Sequence, residues 1–322
     1  MGAVVSDPSV AAARLAGAAR LQLRTVAAER SMMGGRVAVQ LRAAPVSAAT
    51  INPADRVLDR VASWASRLTR FEPDSELSRL NAAAGASVRV GPTMAAILDW
   101  AREAEGRTDG RVDIAMLDAR LAAEAGEASD PPPAPARRWS VQRLPRGAIV
   151  ERPPGLRFDL DGIAKGWLAD RALSLAPGRS AMVDADGDIA ARVAPGDSWA
   201  LGVADPADAD DLLAVVRLTA PGSTLVAGLA TSGTSVHRWD RPSGSAHHLI
   251  DPATWRSATT DVVQATVLAS SARLAECFAK AAVIAGATHA FEVADRPGVL
   301  GILLLTDAGE LLASEGMLPW LG

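Results

Sequence analysis

Apolar residues recur at helical spacing in several stretches of the chain. Between residues 52 and 68 they fall three or four positions apart, on one face of a helix: Val57, Leu58, Val61, Trp64 and Leu68. Asn52 and Pro53 suit the N-cap and first turn of such a helix. The pattern therefore predicts a helix from Asn52 to Leu68 that buries one side.

The same reasoning predicts further helices and strands. Helices are expected at 8–30, which is rich in Ala, Leu and Arg, at 92–105 and at 272–284. Alternating or β-branched runs predict strands at 37–41, 182–189, 199–206, 246–250, 262–270 and 299–305. Prolines between residues 129 and 137 exclude helix and central strand, so an exposed connection is expected there.

Composition narrows the class of protein. The chain has 322 residues, 49% hydrophobic, which is enough for one large domain or two closely joined domains with a core. The net charge is -4, so the chain lacks the excess of Lys and Arg that is typical of nucleic-acid-binding proteins, and we expect no nucleic-acid partner. The single cysteine, Cys277, excludes an intrachain disulfide and offers no zinc motif.

The first thirty residues bear on location. Arginines interrupt the apolar residues there, no early cysteine is available for lipidation, and the chain has no run of about 20 apolar residues. The sequence therefore predicts a cytoplasmic protein without membrane insertion.

Candidate chemistry concentrates between residues 230 and 255, which hold three of the four histidines. His247 and His248 lie next to each other in a predicted strand, so they point to opposite faces and cannot serve the same pocket. We expect one of them to pack in the core. Small residues at 231–233 let a ligand approach the backbone, and Asp251 precedes a rigid turn.

A second candidate lies between Phe158 and Asp170. Two glycines flank Ile163, Ala164 and Lys165 in a loop whose amides and ammonium suit phosphate oxygens at a helix N-terminus. A solvated lysine beside a tight turn is the alternative. Three aspartates between 184 and 188 imitate part of a calcium loop, but no glutamate follows at the required spacing.

Together these blocks resemble the FAD:protein FMN transferase (ApbE) family. The resemblance rests on Thr-Ser-Gly followed by His-His-Leu-Ile-Asp-Pro, on Asp-Leu-Asp-Gly-Ile-Ala-Lys-Gly, and on the stretch from Phe71 to Asn81. A Met-Gly element at Met33 and the loop from Thr108 to Asp113 also match. Six ordered blocks cover about residues 31 to 306.

The resemblance implies the fold and the reaction. It implies an α+β fold of mixed, mostly antiparallel sheets wrapped by helices, with FAD in a cleft between two lobes. We therefore expect an N-terminal helical extension at 1–30 and a single domain at 31–322. The implied reaction transfers FMN from FAD to a threonine or serine hydroxyl of an acceptor protein, which forms a phosphoester and releases AMP.

The resemblance also implies roles for residues. His248 is expected to activate the hydroxyl, with Asp251 orienting it. Flavin or phosphate contacts are expected from Met33, Phe71, Asp113, Lys165, Gly187, Asp188, Thr231, Ser232 and Gly233. Met33 is equally explained as a plain core methionine. A divalent metal, Mg²⁺, is expected at the carbonyl of Ala164 and at Glu276.

Two departures from the family pattern leave alternatives open. Asp186 occupies a glycine position and brings negative charge near the expected pyrophosphate. Lys280 occupies the threonine of the metal pair, and an ammonium cannot ligate Mg²⁺. Either Lys280 replaces the charge of the metal, or the chain binds FAD without transferring FMN. Hydrolysis of FAD to FMN and AMP is a third possibility.

Overall fold

A computed structural model describes residues 24–43, 52–127, 130, 137–208, 210–241 and 244–322. These residues form an α+β fold with seven helices. The helices are α1 (Pro53–Leu68), α2 (Glu76–Ala82), α3 (Pro92–Arg107), α4 (Leu117–Ala125), α5 (Ala164–Leu175), α6 (Ala272–Ala285) and α7 (Ala287–Ala294). The helices predicted at 52–68, 92–105 and 272–284 are confirmed.

An eight-stranded antiparallel sheet forms the centre of the fold, in the order β1-β2-β6-β7-β10-β15-β16-β17. Its strands are β1 (Arg24–Met32), β2 (Gly35–Ala43), β6 (Ser180–Ala185), β7 (Asp188–Val193), β10 (Leu225–Gly233), β15 (Val262–Ala269), β16 (Val299–Thr306) and β17 (Leu311–Ala313). All described strand pairs are antiparallel. The prediction of mostly antiparallel sheets is therefore confirmed.

Smaller sheets complete the described strands. A three-stranded sheet joins β3 (Ser87–Val90), β5 (Gly147–Glu151) and β4 (Ser140–Leu144). Three two-stranded ribbons pair β8 (Ser198–Ala204) with β9 (Leu212–Thr219), β11 (Arg238–Arg241) with β12 (Gly244–His247), and β13 (Ile250–Asp251) with β14 (Arg256–Ser257). A 3-10 turn at Leu318–Trp320 follows β17.

Two tight hairpins of the large sheet share one turn geometry. Met33 and Gly34 join β1 to β2 with φ values of 60° and 79°, and Asp186 and Gly187 join β6 to β7 with 57° and 90°. Two consecutive positive φ values define the type I′ turn, whose right-handed twist matches that of the strands. Asp186 is thus acceptable at a glycine position, because Asp tolerates this conformation better than most residues.

Two sequence predictions were wrong in this region. Residues 24–30 form part of β1, although a helix was predicted from 8 to 30; residues 8–23 of that prediction lie outside the described ones. Pairing with β2 overrides the helical propensity of an Ala- and Arg-rich stretch. Residues 182–189 were read as one strand but turn back on themselves as the β6–β7 hairpin.

The core lies on both faces of the large sheet. One face packs against α1, α5 and α6, and α6 is buried along most of its length. The opposite face packs against the β8–β9 ribbon. Because residues along a strand alternate between faces, Ala230 and Thr231 on β10 belong to different sides of the sheet.

Helices α5 and α6 approach each other closely because small residues lie between them. A Cβ placed on Gly166 would lie 2.6 Å from the carbonyl oxygen of Ala272, and one on Gly228 would lie 2.1 Å from its nitrogen. Asp170 on α5 accepts hydrogen bonds from the first two amides of α6, Ala272 and Arg273. These contacts fix α6 relative to the loop that opens α5.

Within the described residues, no helix has the length and apolar character needed to cross a membrane. The exposed connection predicted near 129–137 falls between α4 and β4, and most of it lies outside the described residues.

Candidate functional site

The loop from Asp159 to Ile163 is held in place from both sides before it enters α5. Asn81 at the end of α2 clamps the backbone of Phe158, because its amide nitrogen donates to the Phe158 carbonyl and its oxygen accepts from the Phe158 amide, both at 2.8 Å. The amide of Asp159 donates to the carbonyl of Ile114 at 2.7 Å. The loop therefore has a defined path next to α6.

Both lysines of the chain lie at this loop. Lys165, in the first turn of α5, forms an ion pair with Asp188 at 3.2 Å and donates to the Asp186 carbonyl at 3.4 Å. Burial works to lower the pKa of Lys165, but Asp188 and Glu276 outweigh it and raise the pKa above its ordinary value. Lys165 is thus a stable cation at the β6–β7 turn.

Glu276 and Asp188 are buried carboxylates that face the same lysine. One oxygen of Glu276 accepts a hydrogen bond from the Gly166 amide at 2.9 Å, and the other has no partner among the described residues. Burial and the neighbouring Asp188 raise the pKa of Glu276 well above its ordinary value. Burial raises the pKa of Asp188 to about 6, although Lys165 opposes the change.

Lys280 lies one turn after Glu276 on α6, over the Asp159–Ile163 loop. A Cβ placed on Gly162 would lie 1.3 Å from the Lys280 ammonium nitrogen, so only glycine leaves room for it. Burial lowers the pKa of Lys280, and the carboxylates of Asp159, Glu276 and Asp161 work in the opposite direction. Lys280 is thus surrounded by carboxylates.

These residues do not fit the metal site that the sequence comparison implied. Mg²⁺ requires several oxygen ligands in near-octahedral geometry. One Glu276 oxygen is already hydrogen-bonded, Lys280 places an ammonium in the same site, and no cluster of three metal-ligating side chains occurs in the described part of the chain. Ala164 and Glu276 therefore lack the oxygen ligands that a Mg²⁺ site needs while Lys280 stands beside them.

His247 and His248 point in different directions, as predicted, although the strand ends at His247. His247 is buried and its ring contacts the carbonyl of Ala258 at 3.0 Å, which gives it a packing role. His248 lies in the bend after β12, with its ring 5.4 Å from that of His237. The Nδ1 atom of His248 is buried and has no partner among the described residues.

The groups that shift the pKa of His248 show which charged residues lie near it. Burial, followed by the charges of Lys280 and Arg120, lowers the pKa of His248 to about 3, so the imidazole is neutral at physiological pH. Asp161 is the carboxylate that opposes this shift. The histidine block and the lysine loop therefore meet in one cluster.

The orienting role predicted for Asp251 stays a prediction. Its carboxylate accepts from the amide of Ala253 at 2.9 Å within its own turn. Asp161 is a second carboxylate, and its charge acts on His248. Burial works to raise the pKa of Asp161, but the charges of Arg120, Lys280 and Lys165 outweigh it and keep the carboxylate ionised.

Arg120 extends the cluster toward α4. It lies 3.6 Å from Asp161, pairs with Glu124 at 2.7 Å and packs on the ring of Trp239. Arg70 also pairs with Glu124 at 2.7 Å, and the Phe71 ring stacks on the Arg70 guanidinium. Phe71 is 72% exposed, so its ring is open to a ligand beside this group.

Three other residues predicted to contact the flavin, Met33, Asp113 and Gly187, lie in separate parts of the fold. Met33 occupies the left-handed turn between β1 and β2 and packs against the core. The Asp113 carboxylate accepts from the Ala115 amide, and burial raises its pKa. Gly187 lies in the β6–β7 turn, where its amide donates to Asp184.

Residues 231–233 end β10, and their side chains do not all face the lysines. Thr231 shares a hydrogen bond of 2.8 Å with Thr266 on the face that carries the β8–β9 ribbon. Ser232 lies on the same face as Ala230, which packs against the core around α5 and α6. The backbone of Gly233 runs beside the Val263 carbonyl.

Sequence reasoning missed Arg120 and His237 as parts of the cluster. Arg120 lies in a helix whose pattern shows only an amphipathic segment, so nothing in the sequence distinguishes it from surface arginines. His237 is part of the stretch between residues 230 and 255 that was singled out. Its contact with His248 depends on the β11–β12 ribbon, which was not predicted.

Similarity to known proteins agrees with this arrangement. A curated FAD:protein FMN transferase of Rhodobacter capsulatus is 30% identical over 260 residues, which are 75% of this chain and 48% of that protein. One of Salmonella typhimurium is 24% identical over 79% of this chain and 75% of its own length. For the Rhodobacter capsulatus protein and that of Treponema pallidum, the chain spans about half of the relative's length.

Solved structures share the fold. The ApbE protein of Thermotoga maritima aligns with a TM-score of 0.72 at 21% identity, over 92% of this chain and 99% of that one. The flavin transferase ApbE of Vibrio cholerae aligns with a TM-score of 0.69 at 22% identity, over 93% and 100%. The model of the ApbE family matches residues 33–304, which contain every element of the cluster, and the chain therefore belongs to the ApbE family.

Proposed function

We propose that this chain transfers FMN from FAD to a threonine or serine hydroxyl of an acceptor protein. The observation that carries the proposal is that the loop around Lys165 and the stretch around His248 meet in one cluster, in a chain of the ApbE family. Relatives that are 30% and 24% identical over 75% and 79% of this chain are named FAD:protein FMN transferases. FAD is thus the proposed substrate, and an acceptor protein is the proposed partner.

The proposed reaction exchanges one bond to phosphorus for another. The acceptor hydroxyl oxygen attacks the phosphorus on the FMN side of the FAD diphosphate. The bond from that phosphorus to the bridging oxygen breaks, and AMP leaves with the bridging oxygen and its electron pair. The hydroxyl proton passes to a base, so the products are a phosphoester-linked flavoprotein and AMP.

His248 is the base that we propose for this step. A threonine hydroxyl is a weak nucleophile until its proton is removed, and a neutral imidazole can accept that proton. In the free protein burial, together with the cations Lys280 and Arg120, lowers the pKa of His248. A bound diphosphate brings negative charge to these cations, which raises the pKa of His248 and makes it a stronger base when the substrate is present.

The cations stabilise the charge that develops on the leaving group. Lys165 is fixed by Asp188, and Arg120 is fixed by Glu124, so both groups are in place before the substrate arrives. Preorganised charges of this kind need no rearrangement during the reaction. Asp161, ionised and facing His248, is proposed to orient the imidazole.

One observation favours a second function. Lys280 stands where the resemblance to the family implies a metal-binding threonine, which is consistent with a protein that binds FAD without transferring FMN. Adding FAD and the purified chain to an extract of cells that lack their own flavin transferase separates the two functions. Transfer predicts a fluorescent protein band on a denaturing gel, heavier at one threonine or serine by FMN less one water. If the chain binds FAD but no protein of the extract acquires covalent flavin, the second function is supported instead.

A further inference from the structure

Lys280 is a charged side chain for which the described residues offer no hydrogen bond and no ion pair within 4.0 Å. The other cations of the cluster are paired, Lys165 with Asp188 and Arg120 with Asp161 and Glu124. The Lys280 side chain is half-buried, so its ammonium group stays within reach of a ligand. An unpaired ammonium that a ligand can reach favours an anionic one.

The ammonium group of Lys280 lies against the Asp159–Ile163 loop. Its ammonium nitrogen and the carbon next to it lie where a Cβ of Gly162 would be, at 1.3 Å and 2.4 Å. The loop itself is fixed by Asn81 and by the Ile114 carbonyl. The positive charge thus sits between α6 and the entry to α5, next to Lys165 and His248.

The two lysines supply the positive charge that a bound diphosphate needs, without a metal ion. Lys165 and Lys280 present two positive charges to the same loop, one from the first turn of α5 and one from α6. A divalent cation would be repelled by the same two ammonium groups. Ammonium groups bind phosphate oxygens as point charges with three donors each.

We propose that Lys280 binds the diphosphate of FAD directly, and that FAD binding by this chain requires no divalent metal. The inference rests on the proposed function, since it takes FAD as the ligand. It adds that Lys280 takes the place of the metal charge, whereas the alternative is a lysine that only balances Asp159, Asp161 and Glu276.

Two variants test the proposal by different routes. Lys280→Met removes the ammonium and retains much of the side-chain volume. Gly162→Ala keeps the lysine but forces its ammonium to move, and Gly162 has a backbone conformation that alanine also adopts. Arg143→Met is the matched control, because it removes one positive charge from an exposed pair with Asp99, away from the cluster.

The measurement is binding of FAD and of riboflavin by quenching of flavin fluorescence, in EDTA and in Mg²⁺. We expect the wild type to bind FAD equally in both solutions. Lys280→Met and Gly162→Ala should each weaken FAD binding by about 10- to 100-fold, as expected for a lost hydrogen bond to a charged group. Riboflavin, which has no phosphate, should bind all three variants and the wild type alike.

The outcomes separate this inference from the proposed function. If the wild type binds FAD only with Mg²⁺, or if both variants bind FAD as well as the control does, Lys280 is not the diphosphate ligand, while the proposed function stands. If the folded wild type binds neither FAD nor riboflavin, both fail. If Lys280→Met does not fold, FAD binding by Gly162→Ala still tests the proposal, because this variant retains every charged side chain and only displaces the Lys280 ammonium.

Discussion

At the scale of single residues, the cluster works through charges that alter each other's protonation. Burial, together with the charges of Lys280 and Arg120, lowers the pKa of His248, and burial with the neighbouring Asp188 raises the pKa of Glu276. A neutral imidazole and a carboxyl with a raised pKa thus lie beside fixed cations. Such opposed shifts are typical of sites that move protons or bind charged ligands.

The two adjacent histidines should differ sharply in function. His248→Ala is expected to lower the rate of FMN transfer by about 10² to 10⁴, the usual contribution of a group that transfers a proton, with FAD binding nearly unchanged. His247→Ala should instead lower the free energy of unfolding by about 1 to 3 kcal/mol, because it leaves buried polar groups unpaired. Flavinylation rates and thermal unfolding measure the two effects. An essential His247 with a dispensable His248 would contradict the assignment.

The raised pKa of Glu276 predicts how stability depends on pH. The folded state holds the Glu276 proton more tightly than the unfolded chain, so the contribution is complete below the ordinary glutamate pKa and is lost as pH rises through the folded value. Glu276→Gln keeps an acceptor for the Gly166 amide but does not titrate. Relative to this variant, the wild type should lose stability as pH rises from 5 to 8, by at most about 1.4 kcal/mol per pH unit. Denaturant unfolding at several pH values measures the difference, and a difference independent of pH would contradict it.

At the scale of elements, the site depends on how closely α5 and α6 approach. Gly166 on α5 contacts the backbone of Ala272 and donates its amide to Glu276. Gly228 on β10 allows the same approach from the sheet. The position of Glu276 and Lys280 over the loop follows from these small residues.

Adding one methyl group at this contact should disturb both stability and the site. Gly166→Ala is expected to destabilise the fold by about 1 to 3 kcal/mol, because α5 and α6 must separate, and to weaken FAD binding with it. Gly106→Ala is the matched control in helix α3, where a Cβ meets nothing within 4 Å. That change should stabilise the protein by up to about 1 kcal/mol. Thermal unfolding of both variants measures the contrast, and similar melting temperatures would refute the close contact.

Helices and long strands could be predicted from the sequence where one face is clearly apolar. The α1 helix, with Val57 and Trp64 on its buried side, is such a case. β1 was mistaken for a helix, because its partner β2 and the turn at Met33 and Gly34 decide its structure, and neither appears in its own composition. The type I′ turn at Asp186 and Gly187 was missed for the same reason.

The candidate site was predictable only in part. Lys165 and His248 lie in motifs with unusual local composition, so the sequence singled them out. The influence of Asp161 on His248, and the contribution of Arg120 from α4, depend on contacts between distant parts of the chain. Such contacts are set by packing and leave no local pattern in the sequence.

At the scale of the whole molecule, the cluster gathers groups from separate parts of the fold. Arg120 comes from α4, Lys165 from α5 and Lys280 from α6, and His248 follows the β11–β12 ribbon. Arg70, which pairs with the same Glu124 as Arg120, lies beside Phe71, an exposed ring that can stack on a flavin or adenine. A dinucleotide with two rings and a diphosphate therefore suits this cluster better than a mononucleotide.

FAD should consequently bind more tightly than FMN. The second phosphate and the adenine add contacts to the cations and to an exposed aromatic ring, and each charge-assisted contact is worth about 1.5 to 3 kcal/mol. We expect at least about a tenfold difference in dissociation constant, which corresponds to about 1.4 kcal/mol. Titration by flavin fluorescence measures both constants. Equal or tighter binding of FMN would mean that the adenylyl half has no place in the site.

The most direct test of the proposed transfer counts both products of FAD. The purified chain is incubated with FAD in an extract that supplies acceptor proteins, and AMP released is measured beside flavin bound covalently to protein. Transfer predicts equal amounts of the two, with little free FMN and with no AMP when the extract is omitted. AMP released together with an equal amount of free FMN would show hydrolysis instead, and intact FAD after prolonged incubation would show a protein that only binds it.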